Sequence, residues 1–123
     1  MIRKFFHSVR YAFKGFLFVF QHEQNFRLQV AVGAFVILLM GWFHVSRAEA
    51  IVLILVITAV LTLEILNTTF EAMIDVLKPR MHHYVEIIKD TMAAAVLLTS
   101  LSAAVIGIVI FWPYVRSLFS FTS

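Results

Sequence analysis

Residues 50–63 carry no charge, and Glu64, Asn67, Glu71 and Asp75 then follow at spacings of 3, 4 and 4. At about 100° per residue these four polar groups share one helix face, within a sector of roughly 80°. An uncharged run of this kind belongs in hydrocarbon, and an acidic stripe that begins inside it is costly there. Ionisable residues in such a setting are functional candidates by default. This stretch therefore points both to a membrane-helical architecture and to the place where its chemistry lies.

The rest of the composition agrees. The 123 residues are 62% hydrophobic and 14% charged, whereas a soluble domain carries about a quarter charged residues. There is no cysteine, which excludes disulfides and thiolate metal sites. The four glycines, at 15, 33, 41 and 107, are far apart, so no Gly-rich phosphate loop can form. A net charge of +3 bears on membrane orientation and implies no nucleic-acid partner.

The expected fold is an all-α membrane protein in a single domain over 1–123. An N-terminal amphipathic surface helix spans 1–22, and transmembrane helices span 26–44, 48–78 and 85–112. In the first segment Ile2, Phe5, Phe6, Val9, Phe13, Phe16, Leu17 and Phe20 recur at helical spacing, with Arg3, Lys4, His7, Arg10, Tyr11 and Lys14 between them. A Phe-lined basic helix of this kind lies on an anionic membrane surface. Its charges are interleaved with the apolar residues and no small-residue cleavage site follows, unlike a secretory signal. After a polar break at 22–27, in which Glu23 and Arg27 are one turn apart and positioned to pair, the only polar residue from Leu28 to Phe43 is Gln29.

The second span is too long for the bilayer. About thirty residues give roughly 45 Å, against a hydrocarbon core of about 30 Å. Its last turns must emerge, with Glu64 near the boundary and Glu71 and Asp75 beyond it. Lys78-Pro79-Arg80-Met81-His82-His83-Tyr84 forms a polar connector, more a solvated loop than a His82-His83-Glu86 metal site. Residues 92–112 are uncharged and long enough to span. Small residues recur there and favour close helix packing. Pro113 is expected to end the span and leave 114–123 as a frayed tail.

With three spans, one side holds eight basic residues (Arg3, Lys4, Arg10, Lys14, Arg27, Lys78, Arg80 and Lys89) and the other holds Arg47 and Arg116. The positive-inside rule puts the N-terminus in the cytoplasm and the C-terminus outside. Trp42 and Trp112 then fall at the outer interface. Glu23, Glu64, Glu71, Asp75, Glu86 and Asp90 gather at the cytoplasmic level. Mg²⁺ binds one or two carboxylates together with phosphate oxygens, and a carboxylate at hydrocarbon depth can deprotonate a lipid alcohol. These parts suffice for phosphoryl transfer to a membrane-embedded hydroxyl. At this level a small ion or proton-relay subunit and a structural membrane subunit remain alternatives, and Asn67 and Thr68 serve equally as helix–helix glue.

Glu64-Ile65-Leu66-Asn67-Thr68-Thr69-Phe70-Glu71-Ala72-Met73-Ile74-Asp75 resembles the E-[IL]-[IL]-N-[ST]-x-[IF]-E-x-x-x-D signature of the prokaryotic diacylglycerol kinase / undecaprenol kinase family. Lys89-Asp90 with Ala93-Ala94-Ala95-Val96-Leu97, Tyr11-Ala12-Phe13-Lys14-Gly15 and Glu23-x-Asn25-Phe26-Arg27 are similar to its other elements. The resemblance implies a homotrimer in the bacterial cytoplasmic (inner) membrane, with sites shared between neighbouring subunits. It implies transfer of the ATP γ-phosphate to a lipid alcohol with Mg²⁺. Carried over, Glu64 is the catalytic base, and Glu23 and Glu71 hold Mg²⁺. Lys4, Tyr11, Glu23, Asn67, Glu71, His82, Lys89 and Asp90 meet the nucleotide. Lys14, Asn25, Arg27, Glu64 and Ala93 lie on the lipid side, and Asp75 is a supporting residue or a partner for Lys89. Alanine at 93, where the diacylglycerol branch has serine, and Asn25-Phe26-Arg27 after Glu23 are more similar to the undecaprenol branch. Arg80-Met81-His82 departs from the acidic-Tyr-His of the diacylglycerol branch. The implied acceptor is thus undecaprenol, with diacylglycerol as the alternative.

Overall fold

The computed structural model describes residues 1–80 and 83–121. It contains four helices, α1 (Ile2–His22), α2 (Gln24–Phe43), α3 (Arg47–Leu77) and α4 (Val85–Ser120). As the sequence predicts, the architecture is all-α. The three helices α2, α3 and α4 are long and apolar enough to cross a membrane. α3 is the organising element, because it packs against each of the other three. Its buried residues Leu53, Val60, Glu64, Thr68 and Ile74 lie on one side, while Ile51, Ile54 and Leu55 on other faces are exposed. Exposed apolar side chains are what a bilayer requires.

The break between α1 and α2 is a single residue. Glu23 adopts an extended backbone (φ −114°, ψ 110°) and caps both helices. Its N–H donates to the Val19 carbonyl at 2.8 Å, and its own carbonyl accepts from the Arg27 N–H at 3.2 Å. Val19 and Phe26, on either side of this elbow, are buried. The Arg27 guanidinium donates to the Phe20 and Gln21 carbonyls at 2.8 and 3.0 Å. These are end-of-helix acceptors that α1 itself cannot satisfy. Arg27 therefore closes the elbow instead of pairing with Glu23.

At the opposite end, His44 (φ 50°, ψ 53°) stops α2 in the left-handed region, and the Val45 N–H returns to the Met40 carbonyl at 3.3 Å. Ser46 and Glu49 form a reciprocal capping box that starts α3, a pattern that satisfies two orphan donors at once. Glu49 Oε1 also accepts from the Tyr114 hydroxyl at 2.5 Å, and the Phe43 ring lies 5.6 Å from that of Tyr114.

This cluster explains one departure from expectation. α4 does not end at Pro113 but runs to Ser120 with the proline inside it. Proline removes one N–H and leaves the carbonyl four residues earlier without its helical donor. Here the helix beyond Pro113 is held laterally, through Tyr114, to the start of α3 and the end of α2. Hydroxyls along the helices turn inward to their own backbone: Thr58 donates to Ile54 and Thr99 to Ala95, which keeps those polar groups satisfied in an apolar setting.

Between α2 and α4, above α3, lies an apolar furrow of about 600 Å³. α2 approaches α3 at Gly33, which is buried; a Cβ there would stand 3.1 Å from Ile57 Cγ2. Gly33→Leu is therefore expected to overpack this crossing and lower stability by about 1–3 kcal/mol. Gly41→Leu, where a Cβ meets nothing within 4 Å, should not. Thermal unfolding of both variants in detergent checks this, and equal midpoints would refute the close approach.

Candidate active site

The acidic stripe lies at the end of α3 where α1 and the elbow pack. Glu64 is 3% exposed, and its Oε1 is buried with no hydrogen-bond partner among the described residues. A buried polar atom without a partner costs about 1–3 kcal/mol, more when charged. Such an atom calls for a water, an ion, a ligand or a second subunit to meet it. Glu64 is within electrostatic range of Glu23, from the elbow, and of Glu71, two turns along α3. Both of these carboxylates are half-buried.

Asn67, also half-buried, donates from Nδ2 to Glu71 Oε1 at 3.4 Å, a long contact that biases the carboxylate. Thr68 is buried, and its hydroxyl donates to the Glu64 carbonyl at 3.0 Å. It thereby belongs to the helix's internal bonding. Thr69 donates likewise to Ile65 at 2.9 Å. Helical rise separates Glu64 from Glu71 by about 10 Å along the axis. The site is thus graded: a buried carboxyl lies next to the uncharged run and a half-buried one lies beyond it.

The structure brings Glu23, Glu64, Asn67 and Glu71 to one locus. Lys4, Tyr11, Lys14, Asn25, Asp75, Lys89, Asp90 and Ala93 are all exposed. No hydrogen bond or ion pair among the described residues joins Lys89 to Asp75, or either Lys89 or Asp90 to the three acids. Lys14 Nζ lies 5.8 Å from the Tyr11 ring centroid, an exposed cation–π contact. His82 is outside the described residues. Sequence reasoning missed the Ser46–Glu49–Tyr114 cluster, although Ser-x-x-Glu ahead of an apolar run is a readable capping box.

Among the described residues no group of three or more His, Cys, Asp or Glu could hold a metal by itself. Mg²⁺ does not require one, because it takes one or two carboxylates and completes its shell with water and phosphate oxygens. Glu23 and Glu71, flanking a carboxyl whose Oε1 lacks a donor, fit that demand.

Known proteins bear on this geometry. The model of the family described as prokaryotic diacylglycerol kinase matches residues 10–111. The chain is similar to a diacylglycerol kinase of Synechocystis sp., 34% identical over 112 residues, covering 90% of this chain and 64% of that protein. It thus spans just under two thirds of that relative's length. It is also similar to the undecaprenol kinase of Bacillus subtilis, 29% identical over 112 residues and 91% of each chain. The diacylglycerol kinase of Escherichia coli K12 is 26% identical over 104 residues, 85% of each. No solved structure gives a match.

The orphaned carboxyl has a measurable consequence for stability. Glu64→Gln removes a buried charge-bearing group and its repulsion with Glu23 and Glu71 at nearly constant volume. In metal-free detergent it should raise stability by about 1–2 kcal/mol, as replacements of strained functional residues often do. A melting temperature equal to or below that of the parent would mean that Glu64 is satisfied after all.

Proposed function

The chain belongs to the prokaryotic diacylglycerol kinase family, a family of lipid kinases, and on that premise we propose that it transfers the γ-phosphate of ATP to the hydroxyl of a membrane lipid alcohol. The observation that carries this reading is the graded acidic face of α3. A buried carboxyl with an unpartnered oxygen lies where a lipid hydroxyl can arrive. A half-buried one, about 10 Å along the helix, lies where a water-soluble donor can. A reaction between a lipid and a nucleotide needs both levels at once.

In this reading Glu64 is the catalytic base and its Oε1 takes the proton of the lipid hydroxyl. Glu23 and Glu71 hold Mg²⁺. Bound together, Mg²⁺ and ATP supply the electrophilic γ-phosphoryl group and neutralise its charge. Asn67 steadies Glu71 through its amide. Lys4, Tyr11, His82, Lys89 and Asp90 contact the nucleotide, and Lys14, Asn25 and Ala93 border the lipid side. Arg27 acts on that side indirectly. Its guanidinium is committed to the α1 carbonyls, so it sets the elbow that carries Glu23. Asp75 is a supporting residue.

We read the protein as a homotrimer whose sites are shared between copies; that no hydrogen bond or ion pair among the described residues joins Lys89 or Asp90 to the acids supports this. The excess of basic residues at the acidic end supports a cytoplasmic orientation for that end, in a bacterial inner membrane. Ala93 and Asn25-Phe26-Arg27 support undecaprenol as acceptor, giving undecaprenyl phosphate. The identity to the Synechocystis protein supports the second reading, diacylglycerol giving phosphatidic acid.

The test is a labelled-ATP assay in mixed micelles with both alcohols offered side by side. Label should appear in an organic-soluble product, and the ratio of the two products identifies the acceptor. Glu64→Gln should lower turnover by at least about 10²-fold while nucleotide still binds. Near-parental rates would remove Glu64 as base. Glu23→Ala and Glu71→Ala should raise the Mg²⁺ requirement, and an unchanged Mg²⁺ dependence would remove them as ligands. ATP-independent ion flux in sealed vesicles, without lipid phosphorylation, would favour a relay subunit instead.

A further inference from the structure

α1 carries cations that the acidic site does not use. No acidic residue precedes Glu23, and residues 1–18 are all exposed. Arg3, His7 and Arg10 follow one another at spacings of 4 and 3, which puts them within roughly 60° around the helix. Among the described residues no hydrogen bond or ion pair engages any of these three side chains. Together with Ile2 and Phe6 they line an open groove. Lys4 and Tyr11, assigned above to the nucleotide, are not part of its lining. Helical rise puts Arg10 about 20 Å and Arg3 about 30 Å along α1 from Glu23. Within one chain the groove is therefore separate from the acidic face of α3.

We propose that this groove holds the phosphomonoester head of a membrane lipid. Its mixed lining selects that class. Ile2 and Phe6 belong to the apolar face of α1, which enters the bilayer when the helix lies on the membrane surface. Arg3, His7 and Arg10 border that face and so stand at the level of lipid phosphates. A ligand that meets both kinds of wall carries a phosphate and a hydrocarbon chain, which a nucleotide does not. Arginine engages phosphate oxygens through its planar fork, and arginines one turn to either side of His7 can converge over its ring. Three donor side chains suit a head with three free oxygens and a charge of about −1.5 to −2. A phosphodiester offers two free oxygens and a single charge. The product of the reaction proposed above is of the phosphomonoester class, so the groove gives it a second place on the protein. That link rests on the lipid-kinase reading; the site itself does not.

The test uses phosphatidate with a photoreactive diazirine near its glycerol, added to the full chain in neutral-detergent micelles without ATP. Mass spectrometry then reads the label on residues 2–10. Label should appear there, and unlabelled phosphatidate should displace it at about one tenth of the concentration that phosphatidylglycerol needs. Arg3→Lys with Arg10→Lys preserves the charge but not the forks, so label should remain while that preference is lost. Absence of label on 2–10 overturns the proposal. So does equal displacement by phosphatidylglycerol, which would leave only a charged surface, or an unchanged preference in the double lysine variant. Displacement by inorganic phosphate or ATP as effective as that by phosphatidate also overturns it, since the groove would then be a free-anion or nucleotide site. No turnover is read, so a chain that phosphorylates no lipid would lose the link to product and leave the binding result standing.

Discussion

A carboxyl buried in an apolar helix bundle, with one oxygen lacking any hydrogen-bond donor, is the feature on which the rest of this structure depends. Glu64 could be relieved by a lysine, an arginine or an amide on a neighbouring helix, and among the described residues none donates to its Oε1. The charges that act on it are two more carboxylates, Glu23 and Glu71. Such an arrangement opposes folding and has to be offset elsewhere, here by the packing of α3 against all three other helices. The two ends of the bundle are fastened by unlike devices. The elbow at Glu23 is closed by Arg27 on the carbonyls of α1, and the Ser46–Glu49 box is tied to Tyr114.

The elbow converts a helix boundary into a site component. A one-residue interruption leaves Glu23 with an extended backbone between two buried apolar residues, Val19 and Phe26. Had Arg27 paired with Glu23, as their spacing allows, that carboxylate would have been neutralised within the chain. With Arg27 taken by main-chain acceptors, the negative charge stays available to a cation. Local backbone chemistry and electrostatics at the site are thus coupled through one guanidinium.

Much of this was legible from residue order. Helical period, uncharged run length and the charge asymmetry between loops identify the spans, because hydrocarbon admits helices and little else. The 3, 4, 4 spacing placed Glu64, Asn67, Glu71 and Asp75 on one face. Less legible was which of them would be buried. Glu64 and Asp75 share that face, yet one is enclosed and the other exposed, since enclosure depends on where α1 and α2 cross α3. The passage of α4 through Pro113 was also hidden. A proline's local effect is readable, whereas the lateral hold from Glu49, 65 positions away, is not.

By itself, then, the sequence determined an all-helical membrane chain, the locations of its spans, and an acidic face at the end of the longest apolar run. Periodicity and the absence of charge are local properties that every helix inherits from its own residues. Tertiary structure alone decided that Glu23 joins that face, that Arg27 serves the backbone, and that the same side of α3 opens below Glu64 into a furrow. Those outcomes depend on interhelical approach, such as that of Gly33 to Ile57. Such approaches are set by the mutual packing of side chains from distant segments, which no single stretch of the chain encodes.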